Sequence, residues 1–446
     1  MNDFYENSLE YFKTVLHFLK ENNWLFNQPN THILVNKVLD NFDPDWIRYL
    51  LNTTTMELHA LSFGDINSNS PESLKIFLKK VQSLKVPIEI YKTTNKLVAS
   101  KRHNHINDKK WHEIVSLAVV IHDVCSSKDI TVIVDVGAGL GHLSYLLSKK
   151  YNYKILAIEG NKEIFDLALK TQEKCYPDEK ERVKFIHHFI TKNSACEIEV
   201  FLKSLNWDIE KVCIVGLHAC ADLSITVLKI FRKLEFLRTL IIVPCCYHRM
   251  EFSFESVDKE KFKYFPVSKA MNDLYAAVEG EDFLRRPFLR LACQQTKISW
   301  NTMTAEDHEM HSKSCMFRAI LQEVAYEDNL IVRRLKRKTG KCNRSIEDYI
   351  NNLKTTHKLV RQDGSDCTID EAIFRERMLE KWKVYEKNCY VVEILTSFQT
   401  AIQSICESVI LLDRIQYLRE KGINSNIYKV IDDRISPRCH ALVANK

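Results

Sequence analysis

Apolar residues follow two alternating patterns between about residues 105 and 250. Nearly continuous runs of valine, isoleucine and leucine predict buried strands, and the stretches between them carry apolar residues at the spacing of amphipathic helices. Such strands, separated by helices, are typical of a parallel sheet that is covered on both faces. The predicted strands are 130–136, 153–159, 183–190, 212–217 and 239–243, and the predicted helices are 108–125, 142–149, 161–175 and 222–236.

The segments on either side of this region follow other patterns. Residues 1–100 have helical spacing of apolar residues, and residues 251–380 are polar and interrupted. A long helix over 377–421, stopped by Gly422, and a strand near the C-terminus come last. We therefore predict an N-terminal helical region, a central α/β core, a long insertion and C-terminal elements that complete the core. Their bounds are 1–100, 101–250, 251–380 and 381–446.

Length and composition limit the class of protein. A chain of 446 residues exceeds the roughly 250–300 residues of a single core, so one elaborated domain or several units are expected. No apolar run approaches the roughly 20 residues of a membrane span, and the N-terminus lacks the features of a signal peptide. The 14 cysteines include no C-x-x-C pair and indicate reduced thiols. We expect an intracellular protein, cytoplasmic or nuclear, without a membrane partner.

The end of the first predicted strand carries the most informative motif. Residues 132–141, V-I-V-D-V-G-A-G-L-G, place Asp135 ahead of three glycines at alternate positions. Glycines permit positive φ and close approach of the backbone to a ligand, and a glycine loop between strand and helix is typical of nucleotide-like cofactor sites. The dinucleotide fingerprint G-x-G-x-x-G does not fit, because its third glycine would fall at His142.

The spacing D-x-G-x-G-x-G instead resembles the S-adenosylmethionine (SAM) site of class I methyltransferases. The second predicted strand ends at Glu159, where a carboxylate can accept both ribose hydroxyls, as in dinucleotide folds. A strand–helix turn without a ligand is the alternative interpretation. The candidate cofactor-binding residues are Asp135, Gly137, Ala138, Gly139, Gly141, Glu159, Gly160 and Asn161.

Reactive side chains follow the fourth and fifth predicted strands, in G-L-H-A-C-A-D-L-S and P-C-C-Y-H-R. Ligands bind at the carboxyl ends of parallel strands, so these side chains, including Cys220, are expected next to the cofactor methyl group. His218 and His248 are candidate bases because an unperturbed imidazole titrates near neutrality. The candidate catalytic residues are His218, Asp222, Cys245, Cys246, Tyr247 and His248. We expect the last strand end, from Cys245 to Tyr247, to shape the floor of the pocket.

Each of these residues also has a simpler interpretation. Asp222 precedes a helical pattern and would suit its N-cap. Cys245 and Cys246 would suit small buried apolar positions. The cluster could also bind zinc, but closely paired ligand spacing is missing, so we predict no metal ligand.

Absent motifs and basic segments narrow the expected substrate. The chain lacks a Pro-Pro pair, and its fourth strand is not followed by Pro-Cys, so adenine-amino and base carbon-5 methylation are not supported. Lys109, Lys110 and His112 are candidate substrate residues near the cofactor mouth, or simply a charged helix N-terminus. Residues 333–344 hold seven basic residues and no acid, which indicates nuclear import, a nucleic-acid surface or a solvated loop.

Motifs spread over at least three quarters of the chain resemble the methyltransferase-like protein 25 family, a group of SAM-dependent methyltransferases. Ala221 stands where this family usually has glycine, which restricts the backbone next to His218. The matching segments are K-K-W-H-E-I (109–114), V-D-V-G-A-G-L-G-H-L (134–143), G-L-H-A-C-A-D-L-S (216–224), P-C-C-Y-H (244–248), R-P-F-L-R-L-A-C-Q (286–294), L-L-D-R-I-Q-Y-L (411–418) and I-S-P-R (435–438).

A more distant likeness is to tRNA 2′-O-methyltransferases of the Trm-thirteen type, which carry similar H-x-C-G, C-C-H and S-P-E-N segments. Tyr247 interrupts C-C-H in this chain, and Arg438 replaces the glutamate. These resemblances imply a Rossmann-like class I methyltransferase fold, SAM as cofactor and an RNA acceptor with a hydroxyl or amine nucleophile. A protein acceptor is the second hypothesis, and a SAM-fold module that binds RNA or a partner without turnover is the third.

Overall fold

An eight-stranded sheet dominates the computed structural model, which describes residues 8–93, 106–253, 261–278, 282–294, 297–335 and 343–446. Two further strands pair in a separate two-stranded antiparallel sheet. The strands in the described residues are β1 (Glu89–Ile90), β2 (Val132–Val136), β3 (Lys154–Glu159), β4 (Val183–His187), β5 (Val212–Cys220), β6 (Leu237–Cys245), β7 (Leu330–Arg334), β8 (His357–Arg361), β9 (Asn424–Lys429) and β10 (His440–Asn445).

The order of the large sheet is β1-β9-β10-β6-β5-β2-β3-β4. The pairs among β2 to β6 are parallel, and β10 lies antiparallel to both β6 and β9. Strand order reverses at β2, which has β3 on one side and β5 on the other. This arrangement, with one antiparallel strand near an edge, confirms the predicted class I methyltransferase fold. Ligands of open α/β sheets bind at such a reversal point.

Helices form much of the rest of the described chain. They are α1 (Ser8–Glu21), α2 (Pro44–Leu50), α3 (Thr55–Phe63), α4 (Glu72–Ser83), α5 (Asp108–Ser126), α6 (His142–Tyr151), α7 (Lys162–Cys175), α8 (Ala195–Ser204), α9 (Asp222–Lys233), α10 (Lys269–Ala276), α11 (Arg286–Leu291), α12 (Lys297–Asn301), α13 (Ala305–Glu327), α14 (Ile346–Thr356), α15 (Glu371–Tyr385) and α16 (Cys389–Arg419).

Burial explains why the central strands are so uniformly apolar. Every residue of β2 is buried, and the core next to it combines side chains from α5, α6 and both neighbouring strands. Ile133, Leu147 and Val215 in this core have no exposed surface. Burying one such side chain contributes about 1.5–3 kcal/mol. The rigid sheet therefore fixes the positions of the loops that leave its carboxyl edge.

The chain divides into two compact units that do not follow the four consecutive segments predicted from the sequence. The first unit consists of Met1–Phe18, Val86–Thr296 and Ile405–Lys446, and the second consists of Leu19–Lys85 and Lys297–Ser404. Long-range pairing is the reason, since β9 and β10 join the central sheet from the C-terminus. The second unit contains the antiparallel pair of β7 and β8.

Several elements differ from the sequence predictions. Helix α8, the short β1, and the strands β7, β8 and β9 were not predicted, because their apolar patterns are short. The predicted helix over 377–421 is two helices, α15 and α16, separated by a turn of 3-10 helix at Glu386–Asn388. The stretch Glu371–Arg419 is long and apolar enough to cross a membrane, but 78% of its apolar window is buried within the protein, as in a core helix.

Candidate active site

A cavity of about 800 Å³ opens at the carboxyl edge of the central sheet. It lies beside the glycine loop after β2 and the turns after β3, β4 and β5. Its volume falls in the range of about 300–1,000 Å³ that is usual for small-molecule sites. Its lining includes Gly137, Glu159, Gly160, Asn161, Phe189, Cys220 and Asp222.

Glu159 holds the glycine loop in position. One carboxylate oxygen accepts a hydrogen bond from the backbone N–H of Gly139 at 2.9 Å, and the other accepts one from Asn161 at 2.8 Å. Each carboxylate oxygen has two lone pairs, so both can accept a further hydrogen bond. The side chain is therefore fixed in place and still able to bind a pair of hydroxyls.

The glycines of the loop meet different constraints. Gly137, Gly139 and Gly141 all have positive φ, at 67°, 58° and 78°. A Cβ on Gly141 would collide with the Phe185 ring and lie 3.1 Å from Tyr145, whereas a Cβ on Gly139 would meet nothing within 4 Å. Packing inside the protein thus requires glycine at 141, and the open space at 139 is a cradle that a side chain would fill.

Asp135 does not line the cavity, although the sequence made it a cofactor-binding candidate. Its carboxylate is buried and accepts a hydrogen bond of 2.6 Å from the Ser144 hydroxyl in α6. Burial raises the pKa of Asp135 to about 7, with the Ser144 hydrogen bond opposing this and Glu159 adding to it. Asp135 therefore joins the strand to the following helix and supports the glycine loop from behind.

A β-bulge turns His218 away from the regular pattern of β5. Gly216 pairs with Ile242 and Ala219 pairs with Pro244, so two residues of β5 face one residue of β6. His218 has a φ of 63°, which is rare for a residue with a side chain. Bulges of this kind often redirect a side chain next to an active site.

The redirected imidazole meets a buried carboxylate. His218 Nε2 lies 3.0 Å from Glu113 Oε2, and the other oxygen of Glu113 accepts a hydrogen bond from the Ser436 hydroxyl. Burial raises the pKa of Glu113, but the hydrogen bonds of His218 and Ser436 outweigh it, and the net pKa is lowered. A carboxylate at Nε2 favours the tautomer with a proton on that nitrogen, which leaves Nδ1 as the basic atom.

Asp222 begins α9 but is not its N-cap, because Ala221 takes that position with a φ of 50° and a ψ of −129°. One carboxylate oxygen of Asp222 accepts the Glu251 backbone N–H at 2.8 Å, and the other, Oδ1, is buried without a hydrogen-bond partner. Burial raises the pKa of Asp222. A buried oxygen without a partner, on a residue that lines the cavity, fits a ligand that donates a hydrogen bond.

Three thiols converge where β5 and β6 end. The sulfur atoms of Cys220, Cys245 and Cys246 all lie within 4.8 Å of one another, and Cys220 and Cys245 are 2.9 Å apart. Hydrogen bonds of the Cys220 and Cys245 thiols lower the pKa of Cys246, and the Arg438 guanidinium beside it acts in the same direction. The sequence predicted that these cysteines lie at one site and left zinc as an alternative there, but it predicted no metal ligand.

The same domain is found by comparison with known proteins. A family model described as a methyltransferase domain matches residues 109–253. "Probable methyltransferase-like protein 25" of Homo sapiens is 26% identical over 264 residues, which cover 58% of this chain and 40% of that protein. Its counterpart in Mus musculus is 26% identical over 246 residues, which cover 54% and 38%. Over this part of its length, the chain is similar to the methyltransferase-like protein 25 proteins.

The chain spans about two fifths of the length of both methyltransferase-like proteins, at 40% and 38%. The solved structure of coclaurine N-methyltransferase, bound to N-methylheliamine and SAH, is 12% identical over 100% of both chains, with a TM-score of only 0.24. The methyltransferase domain assignment supports SAM as the cofactor, as the glycine loop predicts.

Most of the candidate catalytic residues from the family motifs lie outside the cavity. Among the described residues, His218, Cys245, Cys246, Tyr247 and His248 do not line it. The Tyr247 ring is buried, and its hydroxyl donates to Glu407 at 3.1 Å, so this residue belongs to the core and not to a pocket floor. His248 Nδ1 lies 3.1 Å from the Cys293 sulfur, and burial lowers the pKa of His248.

The segment K-K-W-H-E-I contributes to the site mainly through a residue that sequence reasoning left out of the candidates. Glu113, in the second turn of α5, is the partner of His218. Lys109, Lys110 and His112 do not line the cavity, and His112 instead lies 3.4 Å from the backbone nitrogen of Asp432. The match of this segment and of I-S-P-R to the family was the signal that could have identified Glu113 and Ser436.

Proposed function

We propose that this chain binds SAM in the cavity at the carboxyl edge of the sheet and transfers its methyl group to an acceptor in RNA. The observation that carries this proposal is the cavity itself. It places Gly137 of the glycine loop, the fixed carboxylate of Glu159 and the unpartnered oxygen of Asp222 around one space of about 800 Å³. When bound, SAM supplies an electrophilic methyl group on its sulfonium sulfur.

The residues of the cavity would bind and orient the cofactor. Glu159 has spare lone pairs for the two ribose hydroxyls, and the space in front of Gly139 admits a ligand close to the backbone. Phe189 is 74% exposed and lines the same cavity, so its ring offers a flat surface for the adenine. Asp222 Oδ1 would accept a hydrogen bond from an amine or hydroxyl.

His218 would hold the proton that the acceptor loses. Glu113 keeps Nε2 occupied, so Nδ1 is the atom that can accept a proton from a hydroxyl or an amine. His218 does not line the cavity, but it lies in the bulge two residues before Cys220, which does. Glu113 orients the imidazole and is a positioning residue.

RNA is the acceptor class that charge favours. Lys192, Arg249 and Lys263 line the cavity beside an equal number of acidic residues, so the net charge of +6 on the whole chain carries this preference. The basic run at 333–344 supports the same partner, but residues 336–342 lie outside the described part of the chain. A polyanion would gain from several such contacts, and its binding would weaken as salt rises.

Labelled SAM added to fractionated cell extract tests this function. We expect label in a fraction that RNase removes and protease does not. Label that only protease removes would make the acceptor a protein. Absence of SAM and S-adenosylhomocysteine binding up to millimolar concentrations would refute the function altogether.

The role of His218 has its own test. The His218→Ala variant is expected to lose about 10²–10⁴ in turnover, because a general base is removed. Its affinity for S-adenosylhomocysteine is expected to equal that of the wild type, since the cofactor contacts lie elsewhere. Glu113→Gln is expected to lower turnover less and to change its pH profile. Full turnover of His218→Ala would exclude it as the base, and joint loss of folding and cofactor binding would indicate a structural role.

A further inference from the structure

We propose that Cys220, Cys245 and Cys246 form a binding site for a thiophilic divalent cation of the zinc type. Their sulfur atoms all lie within 4.8 Å of one another. Three sulfurs at the usual zinc–sulfur distance of about 2.3 Å from one ion are about 3.8 Å apart. The cluster therefore needs shifts of at most about 1 Å in its sulfur–sulfur distances to enclose an ion.

The sheet positions these thiols on rigid elements. Cys220 and Cys245 are register partners at the ends of β5 and β6, so their backbones cannot move apart without loss of strand pairing. Cys246 follows at once and has a φ of 51°, in the left-handed region that residues with side chains rarely occupy. This turn places the third sulfur beside the other two. Ligands held by strands are fixed more precisely than ligands on loops.

Charge around the cluster fits a bound cation with three thiolates. A divalent ion and three thiolates have a net charge of −1. Arg438 is half-buried and hydrogen-bonds Cys246, and Arg249 lies close enough to Cys220 to affect it electrostatically. Arg438 supplies the positive charge that such a complex needs for neutrality. Second-layer partners of this kind tune metal affinity.

Two other interpretations of the cluster explain less. A disulfide between Cys220 and Cys245 would need the 2.9 Å between their sulfurs to shorten to about 2.05 Å, and it leaves Cys246 and Arg438 without a role. Buried apolar cysteines would account for Cys245, which is 3% exposed. They would not account for the partly exposed Cys220 and Cys246 or for the guanidinium beside them.

The number of protein ligands suggests what the ion would do. Structural zinc sites usually have four protein ligands, whereas three ligands leave one position for water or substrate. Cys220 lines the cavity, so that position would be accessible to a molecule bound there. An ion there would lower the pKa of an acceptor hydroxyl. This last consequence rests on the proposed function, and metal binding itself does not.

Metal content and cobalt titration test the site on the full chain under reducing conditions. We expect one equivalent of zinc per chain after dialysis, and one equivalent of Co²⁺ with intense thiolate-to-cobalt charge-transfer absorption. Cys246→Ala is expected to weaken cobalt binding by at least about a hundredfold, and Arg438→Gln by about ten- to a hundredfold. The exposed Cys196 supplies the control, since Cys196→Ala is expected to bind as the wild type does.

The outcomes separate the hypotheses. Wild-type chain that binds no cobalt when reduced, or a Cys246→Ala variant that binds as tightly as the wild type, would overturn the proposal. Loss of two titratable thiols on mild oxidation, without metal binding, would identify the disulfide instead. Zinc is expected to raise the unfolding temperature of the wild type but not of Cys246→Ala. Each protein is compared with and without zinc, so the test holds even if the variant is less stable.

Calorimetry with S-adenosylhomocysteine on the same samples distinguishes this proposal from the proposed function. Cofactor binding without metal binding overturns only the metal site. Metal binding without cofactor binding overturns only the proposed function.

Discussion

Replacing Gly139 with alanine separates a binding role of the glycine loop from a folding role. The added Cβ would meet no protein atom within 4 Å, so the variant carries no steric clash inside the chain. Its backbone, at a φ of 58°, must still adopt the left-handed region with a side chain. That conformation costs about 1–2 kcal/mol, and the lower entropy of the unfolded chain offsets about 0.4–1 kcal/mol of it.

Gly422 supplies a matched control for this strain. It has a φ of 73°, a Cβ there would also meet nothing within 4 Å, and it follows α16 without lining the cavity. Both Gly139→Ala and Gly422→Ala are therefore expected to lose about 1 kcal/mol of unfolding free energy in urea. Gly141→Ala is expected to lose more, because its Cβ collides with Phe185.

Gly139→Ala and Gly422→Ala should differ in their affinity for the cofactor. A methyl group at Gly139 would occupy the space that a bound cofactor needs beside Glu159. Displacing the ligand from one charge-assisted hydrogen bond costs about 1.5–3 kcal/mol, or about ten- to a hundredfold in affinity. Calorimetry with S-adenosylhomocysteine measures this loss. Wild-type affinity in Gly139→Ala, or an equal loss in Gly422→Ala, would refute the reasoning.

Three further predictions concern other residues. Ala221→Gly should raise the unfolding free energy in urea by about 1 kcal/mol, because Ala221 has a φ of 50°; no gain would contradict the strain. Phe189→Ala should weaken S-adenosylhomocysteine binding by about 1–3 kcal/mol in calorimetry, with the urea midpoint unchanged, if its ring stacks on adenine. The third prediction concerns His311. Burial lowers the pKa of His311, but hydrogen bonds with Cys315 and Glu393 outweigh this and raise it to about 10. Its stabilisation is therefore present below the ordinary pKa of 6.5 and lost as pH rises to about 10, and His311→Gln should flatten this pH dependence of urea unfolding. If the unfolding free energy of His311→Gln depended on pH as that of the wild type does, this role of His311 would be refuted.

The sequence was sufficient to predict those strands and helices whose apolar pattern lies within one short segment. The strands that flank the glycine loop are nearly continuous apolar runs, and β2 and β3 begin within two residues of their predicted starts. The same holds for α5 and α6, whose first residues were predicted correctly. The apolar pattern within each of these segments is enough to predict it, whichever neighbours bury it.

Sequence reasoning failed where a residue depends on a distant partner. Glu113 and His218 are 105 positions apart, and Glu113 and Ser436 are 323 apart, so no spacing rule joins them. The bulge that turns His218 is visible only in the register of two strands. Asp222 had two possible roles from its position before a helix, and the structure excludes the N-cap because Ala221 takes that position.

Backbone strain is concentrated where β5 and β6 end. Eight described residues other than glycine have positive φ, and five of them are lysine, aspartate or asparagine, of which the last two tolerate that region best. The other three are His218 in the bulge of β5, Ala221 directly after β5 and Cys246 directly after β6. Each strained residue costs about 1–3 kcal/mol and persists only where its surroundings hold it, as the Glu113 contact holds His218. Since folding alone would favour relaxed turns here, the strain indicates that the positions of the imidazole and the thiols are what these two loops maintain.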